Sequence, residues 1–501
     1  MSIQSQNFTQ LLFRIFLIWL QRRGLQLESI TYDHLLNTLN ILHPRLYHLE
    51  FIQLVDDVNA YSALEYHNFE QLKSLSLLGS IADLQKIVSA IFRSPLPCLE
   101  HLRLCCSFMV GMPLGIIFNS AHAIKKLFLQ PLEGSYVNLN SFSSHFHHLQ
   151  YLHINNIANT IQFDDSALMA IANQCSVLTT VILINCRSIS HVSIQYLLKR
   201  TPIETLQINN KSFECYWRML HMDEIIINQY LQSLSLHYCD AATTRFLEQM
   251  LLNGNSLHTL KLHSCSSIED YSSIFQLTSL RTLKIHNCPS LNDNSFSIPI
   301  SEHHSLRHLK LSHCSGLTDI GLLYIINRFP HLQSATLKEC RNITSMSIRQ
   351  IVSICSKLEK LHLRSMKVSD IHHLAPQNSD FLDIRQLKIS YCAHIKYSHL
   401  SYLMKKLPFL RSLKITRTGD SYGRYDFLKV LAQECRYLQH FVLHDEESGL
   451  LPREVMFIVG NLSHLRSLSI LMKEFVSEEK YREARLKYKS INPYLELDIQ
   501  F

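Results

Sequence analysis

The residues of this chain best suited to binding chemistry are lysines that recur at a constant interval. They follow one another at steps of 23 residues, of 26 residues or of a multiple of 26: Lys261, Lys284, Lys310, Lys388 and Lys414. Ammonium groups form charge-assisted hydrogen bonds with carboxylates and phosphates. Residues at one phase of a structural repeat fall on one line. The spacing therefore predicts a line of positive charge that attracts an acidic or phosphorylated partner.

Histidine and cysteine also recur together, which raises the question of a metal site. The neighbouring pairs are His263 and Cys265, His286 and Cys288, and His313 and Cys314. Zinc needs four ligands that converge on one point, commonly from C-x-x-C pairs. Ligands spaced 26 residues apart follow a line instead. We therefore expect no metal and no cofactor, and we interpret the cysteines as reduced thiols packed as small hydrophobic groups.

The sequence contains none of the common catalytic patterns. It has no G-x-S-x-G phrase, no P-loop, no H-E-x-x-H phrase and no dinucleotide fingerprint. With 29 histidines and 14 cysteines, chance proximity of the two residue types is unavoidable. We therefore expect a binding protein without catalytic residues, not an enzyme.

The elements that must position these residues follow from a repeated phrase, L-x-x-L-x-L. It begins seventeen times between Leu46 and Leu465, at steps of 23 to 29 residues. Each phrase alternates apolar and polar residues, which predicts a short strand with one buried face. The remainder of the repeat is helical in pattern: Thr318 can cap a helix whose apolar face is Leu322, Leu323, Ile325 and Ile326. Strands that alternate with helices are parallel. The pattern predicts an α/β leucine-rich-repeat solenoid, a right-handed horseshoe with a concave parallel sheet and convex helices.

The leucines of such a strand point inward, so the residues between them lie on the concave face. The predicted binding residues there are Lys261, Lys284, His286, Lys310, His362, Arg364, Lys388 and Lys414. Earlier repeats place Phe128 and His153 at the central position, where they could anchor a partner. A second interpretation stays open, in which the lysines only solvate an exposed strand.

Three segments are expected along the chain. Residues 1–45 lie outside the period and are predicted to form a helical cap, residues 46–473 the solenoid of about 17 repeats, and residues 474–501 a cap with a charged helix and a closing strand. The apolar run Leu11–Leu20 is ten residues long and contains Arg14, which is too short for a membrane span. We expect no membrane association.

The central repeats resemble a known family. The phrase L-x-x-L-x-L-x-x-C, followed by Leu317-Thr-Asp-Ile-Gly-Leu322, resembles the cysteine-containing leucine-rich repeats of the F-box/LRR proteins. In that family the repeats bind a substrate, and an N-terminal F-box recruits the Skp–cullin ubiquitin ligase core. Residues 1–45 depart from the F-box pattern, because they hold no proline before Pro44 and no cysteine. The F-box is degenerate, lost by truncation, or not a part of this protein.

The resemblance implies a substrate-recognition subunit of an SCF-type ubiquitin ligase, which binds a protein partner on the concave face and a Skp-type adaptor only if an F-box exists. The alternative is a leucine-rich-repeat scaffold or inhibitor without ligase coupling. Nucleic acid is disfavoured, because no aromatic residues alternate with the lysines and the net charge is only +7. We expect a cytoplasmic protein, with the nucleus as the alternative location.

Overall fold

Each L-x-x-L-x-L phrase carries a strand in the computed structural model of the full chain. The structure describes residues 47–52, 69–79, 84–106, 114–130, 137–139, 146–156, 161–210, 229–239, 244–251, 256–296, 305–367, 382–392, 394–417, 423–444, 450, 452–471 and 486–500. The predicted helical cap at residues 1–45 and residues 474–485 of the predicted C-terminal cap lie outside these residues. The chain divides into two units, Met1–Ala241 and Ala242–Phe501.

Unit 1 contains a parallel sheet with one strand per repeat and a small pair of extra strands. Its strands are β1 (His48–Ile52), β2 (Ser74–Gly79), β3 (His101–Cys106), β4 (Lys126–Leu129), β5 (Val137–Asn138), β6 (Tyr151–Asn155), β7 (Ile161–Gln162), β8 (Thr180–Ile184), β9 (Thr205–Asn209) and β10 (Ser233–His237). Its helices are α1 (Leu84–Ile91), α2 (Leu114–Ser120), α3 (Asp165–Gln174) and α4 (His191–Arg200). The main sheet runs in the order β1, β2, β3, β4, β6, β8, β9, β10, and β5 pairs with β7.

Unit 2 repeats the same arrangement with greater regularity. Its strands are β11 (Thr259–His263), β12 (Thr282–His286), β13 (His308–Ser312), β14 (Ser334–Lys338), β15 (Lys360–Arg364), β16 (Gln386–Ser390), β17 (Ser412–Thr416), β18 (His440–His444), β19 (Ser467–Leu471) and β20 (Glu496–Gln500). Its helices are α5 (Thr244–Leu251), α6 (Asp319–Arg328), α7 (Ser345–Ile354), α8 (Tyr397–Met404), α9 (Arg424–Glu434) and α10 (Pro452–Asn461). Each strand from β11 to β20 pairs in parallel with the next. This is the leucine-rich-repeat architecture that the sequence predicts.

The leucines of the phrase form the core of each repeat. In β11, Leu260 is fully buried and Leu262 is 1% exposed, whereas Lys261 between them is only partly covered. Burying a leucine side chain contributes about 1.5–3 kcal/mol, so this alternation fixes which side of the sheet the helices cover. We call the other side, which carries the residues between the leucines, the open face.

The helices begin at capping residues that also connect neighbouring repeats. Thr318 accepts a hydrogen bond from the Ile320 amide at the start of α6, as its position predicts. The Thr318 amide and hydroxyl donate in turn to the Asp293 carboxylate of the preceding repeat, at 2.9 and 2.5 Å. Gly321 also donates to Asp293, and a Cβ at this glycine would overlap that carboxylate. The next repeat uses Asp319 and Thr344 in the same way.

Two details differ from the sequence expectation. Leu323 is only half-buried, and Gly321 takes its place on the buried face of α6 beside Leu322, Ile325 and Ile326. The step from Leu257 to Leu280 is 23 residues, three shorter than its successors. Its repeat holds the 3₁₀ segment Ser272–Gln276 where a longer repeat has an α-helix. A 3₁₀ turn rises more per residue than an α-helix, so it spans the sheet with fewer residues.

A left-handed residue ends the strand in many repeats. Its φ lies between 49° and 56° at Asn185, Tyr238, Ser264, Asn287, His313, Glu339, Ser365, Tyr391 and Arg417. At most of these positions the amide donates to the last strand carbonyl of the following repeat, as Glu339 does to Arg364 at 2.9 Å. A cysteine follows at once at seven of the nine positions and is buried, with its thiol near the last carbonyl of its own strand, 3.4 Å for Cys340 and Lys338. The predicted burial of the turn cysteines is confirmed.

Candidate functional site

The predicted lysines lie in one row on the open face of unit 2. The strand register pairs Lys261 with Lys284 and Lys284 with Lys310. Lys388 pairs with Lys414 farther along the row. Thr336 and His362 occupy the two central positions between these groups. Because neighbouring parallel strands are about 4.8 Å apart, the two groups of lysines form one band.

Acidic residues do not interrupt this band. From β11 to β19 the open-face positions hold lysine, arginine, histidine, serine, threonine, glutamine, valine and leucine. The first carboxylates are Glu496 and Asp498 in β20, and Asp498 accepts a hydrogen bond from Ser469 at 2.7 Å. Within the described strands of unit 2, the open face therefore lacks a carboxylate along nine consecutive strands, and it carries lysine or arginine on the first seven of them, β11 to β17.

The charge is densest around His362. Arg364 pairs in register with Lys338, and His362 pairs with Lys388. Burial lowers the pKa of His362 to about 4, and the nearby charges of Lys338, Lys388 and Arg364 add to that effect. The pKa of Lys338 is lowered by burial and by Lys310, Arg364 and Lys388. Mutual repulsion between these cations makes the centre of the face a favourable location for an anion.

Histidines form a second cluster at the end of β11 and β12. The ring centroids of His263 and His286 are 4.2 Å apart, and those of His286 and His313 are 4.8 Å apart. Burial lowers the pKa of His286 to about 4, and the neighbouring imidazoles act in the same direction. His313 Nδ1 lies 3.2 Å from the Glu339 carboxylate. The predicted residue His286 is thus part of a cluster of three imidazole rings at the edge of the basic band.

An aromatic ring extends the basic face beyond the strand ends. Tyr391, the left-handed residue after β16, has the Arg364 Cζ 5.1 Å and the Arg417 Cζ 5.0 Å from its ring centroid. Tyr391 also lines a cleft of about 340 Å³ at the turns that follow β14, β15 and β16. The other lining residues are Glu339, Arg341, Ser365, Met366, Lys367 and His394.

The predicted residues Phe128 and His153 belong to unit 1. They are register partners on β4 and β6, with ring centroids 4.1 Å apart. Arg103 of β3 stacks on Phe128 at 4.7 Å, and burial together with Arg103 lowers the pKa of His153 to about 4. The central row of unit 1 continues with Ile182 and Gln207. Phe128 and His153 thus form a pair within unit 1, and the lysine row belongs to unit 2.

The lysine row was predicted from the sequence, but several other residues of the candidate site were not. Lys338 lies on the open face at the last strand position, where the same alternation places it. Arg103 occupies the central position of β3, so the phrase register alone could have identified it. Tyr391 and Arg417 lie in turns, and no strand alternation marks them.

Metal and membrane sites are not evident in the part of the chain that the structure describes. Among those residues, histidine, cysteine, aspartate and glutamate do not gather in groups of three or more that could hold a metal ion. Helices within the described ranges are too short or too polar to cross a bilayer.

The comparisons with known proteins bear on the fold alone. No protein-family model matches the chain, and no curated protein matches it significantly. Similar solved structures include the complex of Rad7 and Elc1 in yeast, with 15% identity over 99% of this chain and 98% of that chain and a TM-score of 0.43. An internalin of Listeria monocytogenes has 17% identity, coverages of 83% and 89%, and a TM-score of 0.35. A leucine-rich-repeat protein of Leptospira interrogans has 16% identity, coverages of 89% and 92%, and a TM-score of 0.37.

The strands and helices of this chain themselves define a leucine-rich-repeat protein. At the identities and TM-scores above, the likenesses add no argument about its partners.

Proposed function

We propose that the chain recognises a protein partner, through an acidic or phosphorylated segment, on the open face of unit 2. We further propose that it does so as the substrate-recognition subunit of an SCF-type ubiquitin ligase. One observation carries the binding role: the lysine row of β11 to β17 lies within nine consecutive strands, β11 to β19, whose open-face positions include no acidic residue.

The crowding of the cations favours binding over simple solvation. A surface that only needs water can mix lysine with glutamate and so gain from opposite charges across neighbouring strands. Here burial, followed by the charges of Lys310, Arg364 and Lys388, lowers the pKa of Lys338. Like charges on neighbouring strands are destabilising, and an anionic segment lying along the face would relieve that repulsion.

The ligase role is supported by the resemblance of the repeats to those of F-box/LRR proteins. Adaptor binding would require an F-box, and residues 1–45 lie outside the described structure. The alternative is a leucine-rich-repeat scaffold or inhibitor that uses the same face without ligase coupling. The two candidates share the proposed binding surface and differ in whether a Skp-type adaptor binds. One experiment can therefore test both the binding face and the ligase role.

Affinity purification of the tagged full chain from cells of its own organism, with the proteasome inhibited, tests the proposal. The open-face variant is Lys310→Glu/Lys388→Glu. The matched control is Arg349→Glu/Lys405→Glu, which makes the same charge change at α7 and at the end of α8. Quantitative mass spectrometry compares the proteins retained by the three forms and measures the Skp-type adaptor separately.

We expect partners that the wild type and the helix-side control retain equally and that the open-face variant loses at least tenfold, a change of about 1.4 kcal/mol. Equal retention of partners by all three forms would contradict the proposal that partners bind the open face. Retention of partners without a Skp-type adaptor would replace the ligase role with the scaffold or inhibitor role.

A further inference from the structure

The cleft beside Tyr391 has the composition of a binding site for a small anionic group. It has a volume of about 340 Å³ and is lined by Arg341, Lys367, His394 and the buried side chain of Met366, together with Glu339 and Ser365. Arg341, Lys367 and His394 are exposed, so their charges and donors are accessible from solvent. A single acidic group among these residues, Glu339, lies 3.2 Å from His313 Nδ1.

Tyr391 fixes the positions of two further cations at this cleft. Arg364 ends β15 and Arg417 follows β17, so the two guanidinium groups reach the ring from the strands on either side of β16. Stacking on an aromatic ring restrains a guanidinium group while its N–H donors stay at the edge. Arg364 is also an open-face residue next to Lys338, so the cleft adjoins the basic band.

This arrangement discriminates among anionic ligands. A nucleobase would have to stack on Tyr391, but the guanidinium groups of Arg364 and Arg417 already lie against that ring at about 5 Å. A single carboxylate carries one charge and two acceptor oxygens, which is fewer than Arg341, Arg364 and Lys367 can satisfy. A phosphoryl group carries nearly two charges and three strong acceptor oxygens, which suits a site with several arginine and lysine donors.

We propose that the Tyr391 cleft, together with Arg364, is a subsite for a phosphorylated serine or threonine side chain of a protein segment lying on the open face. The subsite rests on the proposed function, since the segment is part of the partner. The guanidinium of Arg364, held by Tyr391, binds the phosphoryl oxygens, and Lys367 and Arg341 complete the donor set. Ser365 and Met366 also line the cleft.

Binding of immobilised peptide pools to the purified full chain tests this subsite. One pool has a fixed central phosphoserine in otherwise degenerate sequence, and its twin has serine at that position. Inorganic phosphate serves as a competitor. The variants are Arg364→Ala, Arg364→Lys and Lys367→Ala, and the control is Lys405→Ala, which removes an exposed charge at the end of α8. Circular dichroism confirms that each variant is folded.

We expect the phosphoserine pool to bind at least tenfold more tightly than the serine pool and to be displaced by inorganic phosphate. Arg364→Ala should weaken phosphoserine binding by about tenfold to a hundredfold, since hydrogen bonds to charged groups are worth that much. Arg364→Lys should restore part of it, because lysine keeps the charge and loses the two-pronged geometry. Lys405→Ala should change it by less than about threefold, as expected for a surface charge outside the open face.

Equal weakening by Lys405→Ala and Arg364→Ala would overturn the subsite in favour of diffuse attraction by the net charge of the protein. Equal binding of the two pools would also overturn it. The subsite can fail while the proposed function stands: this is the result if the cellular partners bind the open face regardless of phosphatase treatment and of Arg364→Ala.

Discussion

The guanidinium carbon of Arg364 lies 5.1 Å from the ring centroid of Tyr391, and this pair joins the basic open face to the turns that follow the strands. Arg364 belongs to a strand and faces the same side as the lysine row, whereas Tyr391 belongs to the next turn. The pair therefore lies at the edge of the proposed binding surface, where the strands end and the turns begin. A cation–π contact at an exposed site contributes only about 0.5–1 kcal/mol. We therefore expect the Tyr391 ring to orient the Arg364 guanidinium and to add little to stability.

Removing the ring should weaken anion binding without unfolding the protein. Tyr391→Ala frees both Arg364 and Arg417 from their stacking partner, and we expect about a twofold to fivefold loss of phosphoserine-pool affinity. Tyr391→Phe keeps the aromatic face and should bind like the wild type. A loss in Tyr391→Phe as large as in Tyr391→Ala would show that the hydroxyl, not the stacking, is responsible.

The carboxylate of Asp319 should hold two repeats of unit 2 together. It accepts hydrogen bonds from the amide and hydroxyl of Thr344, at 2.8 and 2.7 Å, and from the hydroxyl of the fully buried Ser347. Asp319→Ala leaves these donors without an acceptor, so we expect a loss of about 1–3 kcal/mol in the free energy of unfolding.

Urea denaturation followed by circular dichroism measures that loss, with Glu359→Ala as the control. Glu359 lies 3.8 Å from Arg385 and is partly exposed, and a surface ion pair of this kind contributes about 1 kcal/mol or less. If the two variants unfold at the same urea concentration, the bridge at Asp319 has no role in stability.

The imidazole of His362 should remain neutral well below its ordinary pH range. Burial, followed by the charges of Lys338, Lys388 and Arg364, lowers its pKa from 6.5 to about 4. The unfolded chain therefore binds more protons than the folded chain between these two values. This group's contribution to stability is complete above about 6.5 and is lost as the pH falls toward 4.

Nuclear magnetic resonance of the His362 C2 proton should show a titration centred near pH 4. His362→Gln should flatten the decline of the unfolding free energy between pH 6.5 and 5. A midpoint near 6.5 in the folded protein would mean that the side chain is solvated and that the neighbouring cations do not act on it.

A β-branched residue in the left-handed turn after β15 should destabilise the protein. Ser365 has a φ of 50°, and its amide donates to the Ser390 carbonyl at 2.8 Å, which holds it in that conformation. Ser365→Val should lower the free energy of unfolding by about 1–3 kcal/mol, the usual cost of forcing a side chain into a rare backbone region.

Ser412→Val is the matched control for that turn, because Ser412 is extended in β17 and valine suits a strand. We expect this variant to unfold within about 0.5 kcal/mol of the wild type. Coincident thermal unfolding curves for Ser365→Val and Ser412→Val would contradict the conformational requirement at Ser365.

Much of the repeat architecture could be predicted from sequence because a few residues determine it. The alternation around Leu260 and Leu262 predicted both the strand and its buried side, and this placed Lys261 correctly on the open face. Thr318 was identified as a helix cap because a hydroxyl before an apolar run has few other roles. The arrangement of the lysines follows from strand register, which the period of the phrase determines.

The turns were less predictable because their sequence varies while their conformation does not. The left-handed position is asparagine at 287, glutamate at 339 and tyrosine at 391, and none of these is the glycine that usually marks such a turn. The backbone is held there by a hydrogen bond to the following repeat, which no local pattern reveals. The stack of Arg364, Tyr391 and Arg417 depends on that turn, so it could not be predicted from the sequence either.

The claim that the open face of unit 2 is the binding surface can be tested most directly by site-specific photocrosslinking. A benzophenone amino acid at Thr336 lies between Lys310 and His362 on the open face, and the same group at Gln350 lies on α7. We predict that the Thr336 probe crosslinks to a partner polypeptide, that excess phosphoserine peptide pool reduces this product, and that the Gln350 probe does not form it. Crosslinking from Gln350 alone would contradict the account.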